Sequence, residues 1–135
     1  MTYEHRIAVR YLEVDRQVVV FNAWYLAYFD DALTGFLSER GLPYDALLAS
    51  GHDVMVVRTE LDWTGGVGFG DEVGVGVAVA AVGTTSFTLA FEVRRAGEPV
   101  CRGRTVYVCV ATDGTGKRPL PDTLRAALSD PAQRP

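Results

Sequence analysis

Residues 9–37, VRYLEVDRQVVVFNAWYLAYFDDALTGFL, decide the fold. In this stretch a strand-like run, a lone carboxylate at Asp15 and a very apolar helix follow one another directly. From Ala23 onward Pro is absent, and Trp24, Leu26, Ala27, Ala32, Leu33 and Leu37 all suit a helix. The next stop signals are Gly41 and Pro43. The spacing predicts a helix over 23–40, roughly 25 Å long at about 1.5 Å per residue. Apolar side chains occupy almost every face of its first two turns, which predicts burial all round, tightest in the N-terminal half. Asn22 stands where an N-cap belongs.

Working outward, residues 3–11 alternate as a strand, with Ile7, Val9 and Tyr11 on one side. Pro43 to Ala49 reads as a short second helix. Four strands follow: His52–Trp63, Asp71–Val82, Ser86–Arg94 and Val100–Thr112. In the first of these, Met55, Val57, Leu61 and Trp63 share one parity. In the second, Val73, Val75, Val77 and Val79 oppose Gly74, Gly76, Ala78 and Ala80. A face that smooth suits the close approach of another backbone, either the helix or a partner subunit. Gly83–Thr85 and Ala96–Pro99 are hairpin-length joints, so these strands are expected as antiparallel neighbours. A short helix over Pro121–Leu128 closes the chain. The predicted fold is α+β, a long central helix wrapped by a five-stranded antiparallel sheet. Residues 1–128 form one domain, and 129–135 form a flexible polar tail. One helix cannot cover both faces of such a sheet, which predicts dimerisation by edge-strand pairing.

With 135 residues, 48% hydrophobic and 22% charged, the chain can bury a real core. No run reaches the ~18 uncharged apolar residues of a membrane helix, and the N-terminus is too charged for a signal-peptide core, so a cytoplasmic location is expected. A net charge of −4, with Lys117 the single lysine, argues against a nucleic-acid partner. Cys101 and Cys109 lie on one strand, about 26 Å apart when extended, beyond the ~7 Å of a disulfide, and read as reduced thiols. His5 and His52 lack the partners of a metal site or a triad. The Gly-rich WTGGVGFGD (63–71) is no phosphate loop, because no Lys-Ser/Thr follows it.

Four motifs in order carry a resemblance. Tyr11-Leu12-Glu13-Val14-Asp15, followed by Val20-Phe21-Asn22-Ala23-Trp24-Tyr25, is similar to an acidic-x-Asp…Val-aromatic-x-x-x-Tyr signature. Phe69-Gly70-Asp71 is similar to a Gly-Asp that opens a third strand. Gly83-Thr84-Thr85-Ser86-Phe87 is similar to the turn before the fourth, and Val108-Cys109-Val110 with Lys117-Arg118-Pro119-Leu120-Pro121 to the last strand and its basic-Pro-x-Pro exit. Over residues 7–128 the chain resembles the 4-hydroxybenzoyl-CoA thioesterase family of hotdog-fold enzymes, including its Tol–Pal-associated branch. It departs from that pattern at Gln17 and Val18, where the family usually has Gly, and at Asn22, where relatives often have His or Tyr.

The resemblance implies hydrolysis of an acyl-CoA or acyl-carrier-protein thioester, with no cofactor and no metal. Asp15 is then the nucleophile or general base. A backbone N–H at the helix start, near Asn22, polarises the thioester carbonyl. Phe21, Trp24 and Tyr25 are the expected acyl-pocket residues. Thr85, Ser86, Lys117 and Arg118 are the expected CoA contacts, with Thr84 and Thr85 standing where some members place Lys or Arg. A homodimer, or a dimer of dimers as a homotetramer, is the expected assembly. A non-catalytic acyl-thioester-binding module is the alternative; a hydratase would want an Asp–His pair near the helix start.

Overall fold

The computed structural model describes residues 3–129. In chain order it contains β1 (Tyr3–Ala8), α1 (Trp24–Glu39), α2 (Tyr44–Ala49), β2 (His52–Trp63), β3 (Glu72–Val82), β4 (Ser86–Arg95), β5 (Glu98–Ala111) and α3 (Asp122–Ala127). The strands form one antiparallel sheet in the order β1-β3-β4-β5-β2. The long helix α1 packs on one face, as expected of the hotdog architecture. Inward residues of alternate parity, among them Val73, Val75 and Val77 of β3 and Phe87, Leu89, Phe91 and Val93 of β4, meet it in a single core. Phe29 of α1 stacks on Phe91 with centroids 4.4 Å apart. That approach needs Gly103 on β5: a Cβ there would lie 2.6 Å from Phe29 Cε2.

Several local expectations are corrected. β1 stops at Ala8, not residue 11. Once the Val9 N–H has bonded Asp71 O, the chain turns away through a tight 3-10 turn at Tyr11–Glu13. α1 is not buried all round. Tyr25, Tyr28, Phe29, Ala32, Leu33, Phe36 and Leu37 face the core, whereas Leu26 stays 43% exposed and the N-terminal half is no tighter than the rest. Asn22 is not the N-cap. That position falls to Ala23, already in helical conformation and with no side-chain cap.

In β2 the expected parity breaks because a bulge at Val56/Arg58 inserts a residue. Leu61 and Trp63 pair with the inward Gly103 and Cys101, while Met55 pairs with Val108 on the opposite parity. The smooth face of β3 turns away from α1, so the helix is not the backbone that approaches it. The Glu4 side chain of β1 lies over Gly74, with Oε1 2.0 Å from where a Cβ would stand.

Cys101 and Cys109 are buried free thiols on β5, and burial pushes both up, Cys101 to about 12. Of the expected tail, residues 130–135 lie outside the described residues. Ser129 donates its N–H to Ala126 O, and its own carbonyl accepts from Arg40. No described helix is long and apolar enough to cross a membrane.

Candidate active site

Between the 3-10 turn and α1 the chain forms a small hairpin. The Phe21 N–H donates to Glu13 O at 2.9 Å, Val14 pairs with Val20, and the Asp15 N–H donates to Val19 O at 2.9 Å. Val18 closes the turn by donating to Asp15 O at 3.0 Å. To do so Val18 adopts φ of 64°, a left-handed conformation that a β-branched residue rarely takes. The loop thus keeps a glycine-like turn without glycine. Asp15 sits at the hairpin tip, half-exposed. Its Oδ1 accepts the Gln17 N–H at 2.8 Å, and Oδ2 has no hydrogen-bond partner among the described residues.

The chain enters α1 by tight turns: Trp24, Tyr25 and Leu26 donate to the carbonyls of Phe21, Asn22 and Ala23. The N–H groups of Asn22 and Ala23 are left without partners among the described residues. Both lie at the N-terminal, positive end of a 16-residue helix, where such donors favour developing negative charge. The Asn22 side chain is exposed and forms no cap.

Beneath the hairpin lies a buried carboxylate. Glu13 is 2% exposed. Its Oε1 accepts the Arg10 N–H at 2.9 Å and the Tyr28 hydroxyl at 2.8 Å, and its Oε2 meets the Arg10 guanidinium at 2.8 Å. Burial alone would push this carboxyl up. The Arg10 N–H, the Tyr28 hydroxyl and the Arg10 guanidinium outweigh it and hold Glu13 below the usual carboxylate range. Burial, with Glu13 beside it, pushes the Tyr28 hydroxyl well up, so it stays a donor at neutral pH. The Arg10 guanidinium also lies 5.7 Å from the Trp24 ring centroid.

The expected pocket residues divide. Phe21 is exposed, Trp24 is half-buried, and Tyr25 is buried against Tyr28 and Trp63. None of the three lines the two clefts along the outer side of α1. One cleft, of about 250 Å³, is lined by Asp30, Leu33, Thr34 and Leu37 of α1, with Tyr44, Asp53, Val54, Val56 and Tyr107. The other, of about 200 Å³, shares Asp30, Val56 and Tyr107 and adds Leu26, Phe29, Thr59 and Thr105. The Tyr107 hydroxyl is buried there with no hydrogen-bond partner among the described residues. Although Asp30 is exposed, burial of its carboxyl at the cleft partly desolvates it and raises it, with Asp31 adding to the effect.

Thr85, Ser86, Lys117 and Arg118 do come together. The Cys109 N–H donates to Thr85 O, the Arg118 N–H donates to Cys109 O, and Lys117 pairs with Val110. They stand, however, at the far end of β3 from the Asp15 hairpin, whose Val20 N–H is bonded to Val67 O, just before that strand. β3, an 11-residue strand about 33 Å long when extended, runs between the two groups within one chain. Among the described residues no group of three or more His, Cys, Asp or Glu side chains is placed to hold a metal ion.

Residues 9–128 match the sequence model of the Thioesterase-like superfamily. The chain belongs to that family. A 1,4-dihydroxy-2-naphthoyl-CoA hydrolase of Synechococcus elongatus is 21% identical over 125 residues, 91% of this chain and 92% of that protein. Among solved structures, a hypothetical protein from Thermus thermophilus is 31% identical with a TM-score of 0.87, over 92% of this chain and 95% of that one. A 1,4-dihydroxy-2-naphthoyl-CoA thioesterase from Synechocystis superposes with a TM-score of 0.87 at 21% identity, over 98% of each chain.

Family membership makes the chain a thioesterase. Sequence reasoning did not single out Asp30, Tyr107 or the Ala23 amide. Asp30 had a signal, since it follows Asn22 and Leu26 at four-residue spacing on one helical stripe. Tyr107 had none beyond its parity in β5.

Proposed function

We propose that this thioesterase hydrolyses acyl-CoA thioesters to free acid and thiol, with Asp15 as the acting carboxylate and the Asn22 and Ala23 N–H groups as donors to the carbonyl oxygen. The observation that carries this reading is the pair of unpartnered amides at the start of α1, preceded by a hairpin that displays Asp15 with one oxygen uncommitted. A thioester carbonyl seated on those amides would develop its negative charge at a helix N-terminus. As nucleophile, Asp15 attacks the carbonyl carbon, the C–S bond breaks, the thiolate leaves and takes a proton from water, and a second water hydrolyses the mixed anhydride. As general base, Asp15 takes the proton of a water whose oxygen attacks the same carbon, and that proton leaves with the thiol. Relatives whose names specify aromatic CoA esters support a CoA thioester as substrate. The acyl group would run down the stripe Leu26–Asp30 into the clefts beside β2.

The placement of the two groups at opposite ends of β3 favours a homodimer as the working unit. β2 is an edge strand, with Met55, Val56 and Val57 all exposed. Pairing it antiparallel with a second copy would reverse the partner. The copy's Asp53 end, joined through Val110 to Lys117, would then stand level with this chain's Trp63 end, beside the Asp15 hairpin. Thr85, Ser86, Lys117 and Arg118 of one subunit would thus serve the CoA bound at the other, in a dimer or a dimer of dimers. The Glu13-x-Asp15 signature and the Lys117–Pro121 exit favour the 4-hydroxybenzoyl-CoA thioesterase group with its Tol–Pal-associated branch, acting in the cytoplasm.

The test is thiol release, followed with a chromogenic thiol reagent, from short, long and aromatic acyl-CoA esters, wild type beside Asp15→Asn. The variant is expected to lose at least a hundredfold in kcat. Unchanged turnover would end the role of Asp15, and ligand binding without wild-type turnover would favour the binding-module reading.

A further inference from the structure

The hairpin that carries Asp15 is held together internally by backbone bonds, yet its side-chain tie to α1 is made two residues earlier, at Glu13. We propose that Glu13 and Tyr28 form a positioning pair that fixes the Asp15 hairpin against the start of α1; this rests on the role given to Asp15 above.

The geometry is specific. Tyr28 lies four residues into α1 from Trp24, with its ring in the core at 1% exposure. Its hydroxyl donates to the same Oε1 that receives the Arg10 N–H. The Glu13 carbonyl, in turn, accepts from Phe21, the residue that leads into the unpartnered amides of Asn22 and Ala23. One residue therefore touches both sides of the chemistry, the strand leading to Asp15 through its backbone and the helix through its side chain.

A buried carboxylate is a poor way to gain stability even beside an exposed guanidinium such as that of Arg10, because its desolvation offsets most of the attraction, and an apolar side chain could fill the space. What the carboxylate provides instead is direction. With the Arg10 N–H, Nε and Nη2 and the Tyr28 hydroxyl all placed around it, the Glu13 side chain has one orientation that satisfies them. A misplacement of about 1 Å at the reacting group can cost on the order of a hundredfold in rate.

Tyr28→Phe removes the hydroxyl and leaves the ring packed. It is expected to lower kcat ten- to hundredfold with KM within about twofold of wild type. Leu89→Ala, a core truncation on β4 away from the hairpin, is expected to destabilise the protein at least as much while leaving kcat at 25 °C unchanged. Glu13→Gln combined with Tyr28→Phe should cost no more in kcat than the worse single change, since the two act as one unit. A readout without turnover is amide exchange of the Asp15 and Phe21 N–H groups, expected at least tenfold faster in Tyr28→Phe and not selectively faster in Leu89→Ala. Wild-type kcat and unchanged exchange in Tyr28→Phe would overturn the pairing, as would a loss matched by Leu89→Ala. Asp15→Asn, measured alongside, separates the two ideas. Full activity there defeats the catalytic reading, whereas loss there with Tyr28→Phe intact defeats the positioning pair alone.

Discussion

Replacing Gly103 with Ala should be costly out of proportion to one methyl group. The added Cβ would stand 2.6 and 2.8 Å from Cε2 and Cζ of Phe29 and 3.0 Å from Glu60 O. Ordinary carbon contacts begin near 3.5 Å, so the ring must retreat by nearly 1 Å. It has little room, because Phe29 is 1% exposed and stacked on Phe91 at 4.4 Å with planes 5° apart. Overpacking of this kind costs about 1–3 kcal/mol, and replacing glycine within a strand returns about 0.5–1 kcal/mol. The net loss is then centred on about 1 kcal/mol and at most about 2.5 kcal/mol, a drop of roughly 4 °C and at most about 9 °C in Tm from the per-residue entropy of unfolding for a chain of this size. Urea unfolding of Gly103→Ala, Phe29→Leu and the double variant measures it. The smaller Leu should accommodate the new methyl, making the double variant more stable than the sum of the singles by about 1 kcal/mol. Additive losses, or a Gly103→Ala protein as stable as wild type, would refute the argument that the helix seats itself through this gap.

Val18, at φ of 64° and 70% exposed, should invert the usual ranking of small residues, with Val18→Gly more stable than Val18→Ala by about 0.5–1 kcal/mol in urea; equal stabilities would mean the turn relaxes out of the left-handed region. Acid sensitivity should trace in part to Glu13. Its folded-state carboxyl is held below the usual range, so its contribution is complete above the unfolded-state value near 4.3 and is lost as pH falls below it. Unfolding free energies from pH 6 to pH 3 should therefore decline less steeply in Glu13→Gln than in wild type, and parallel declines would remove Glu13 from the account.

Strand periodicity made most of the sheet legible, because alternating parity and short turns are local facts. β2 was bounded at His52 and Trp63 by sequence alone, and β3, β4 and β5 to within a residue or two. What stayed hidden depends on partners distant in the chain. The Val56/Arg58 bulge exists only against β5, so the sequence offered an unbroken parity. Leu26 read as core because an apolar residue does not declare which face its helix buries. Val18 contradicts its own propensity, which is why a family-like turn looked lost there. At the candidate site, the start of the helix came from the apolar pattern, whereas Asp15 came only from the family resemblance of its motif. The distance from Asp15 to Lys117 is set by the length of β3 and its antiparallel return, which no local pattern reveals.

The sheet order also governs how the chain matures on the ribosome. β1 must wait for β3, and β2, finished at Trp63, has no partner until β5 ends at Ala111, 48 residues later. At about 5–20 residues per second that is a delay of roughly 2–10 s. Throughout it a newly made segment bearing Met55, Val56 and Val57 has no β5 to pair with. The charged run Arg58, Glu60 and Asp62, immediately downstream, is well placed to keep that stretch solvated until β5 arrives.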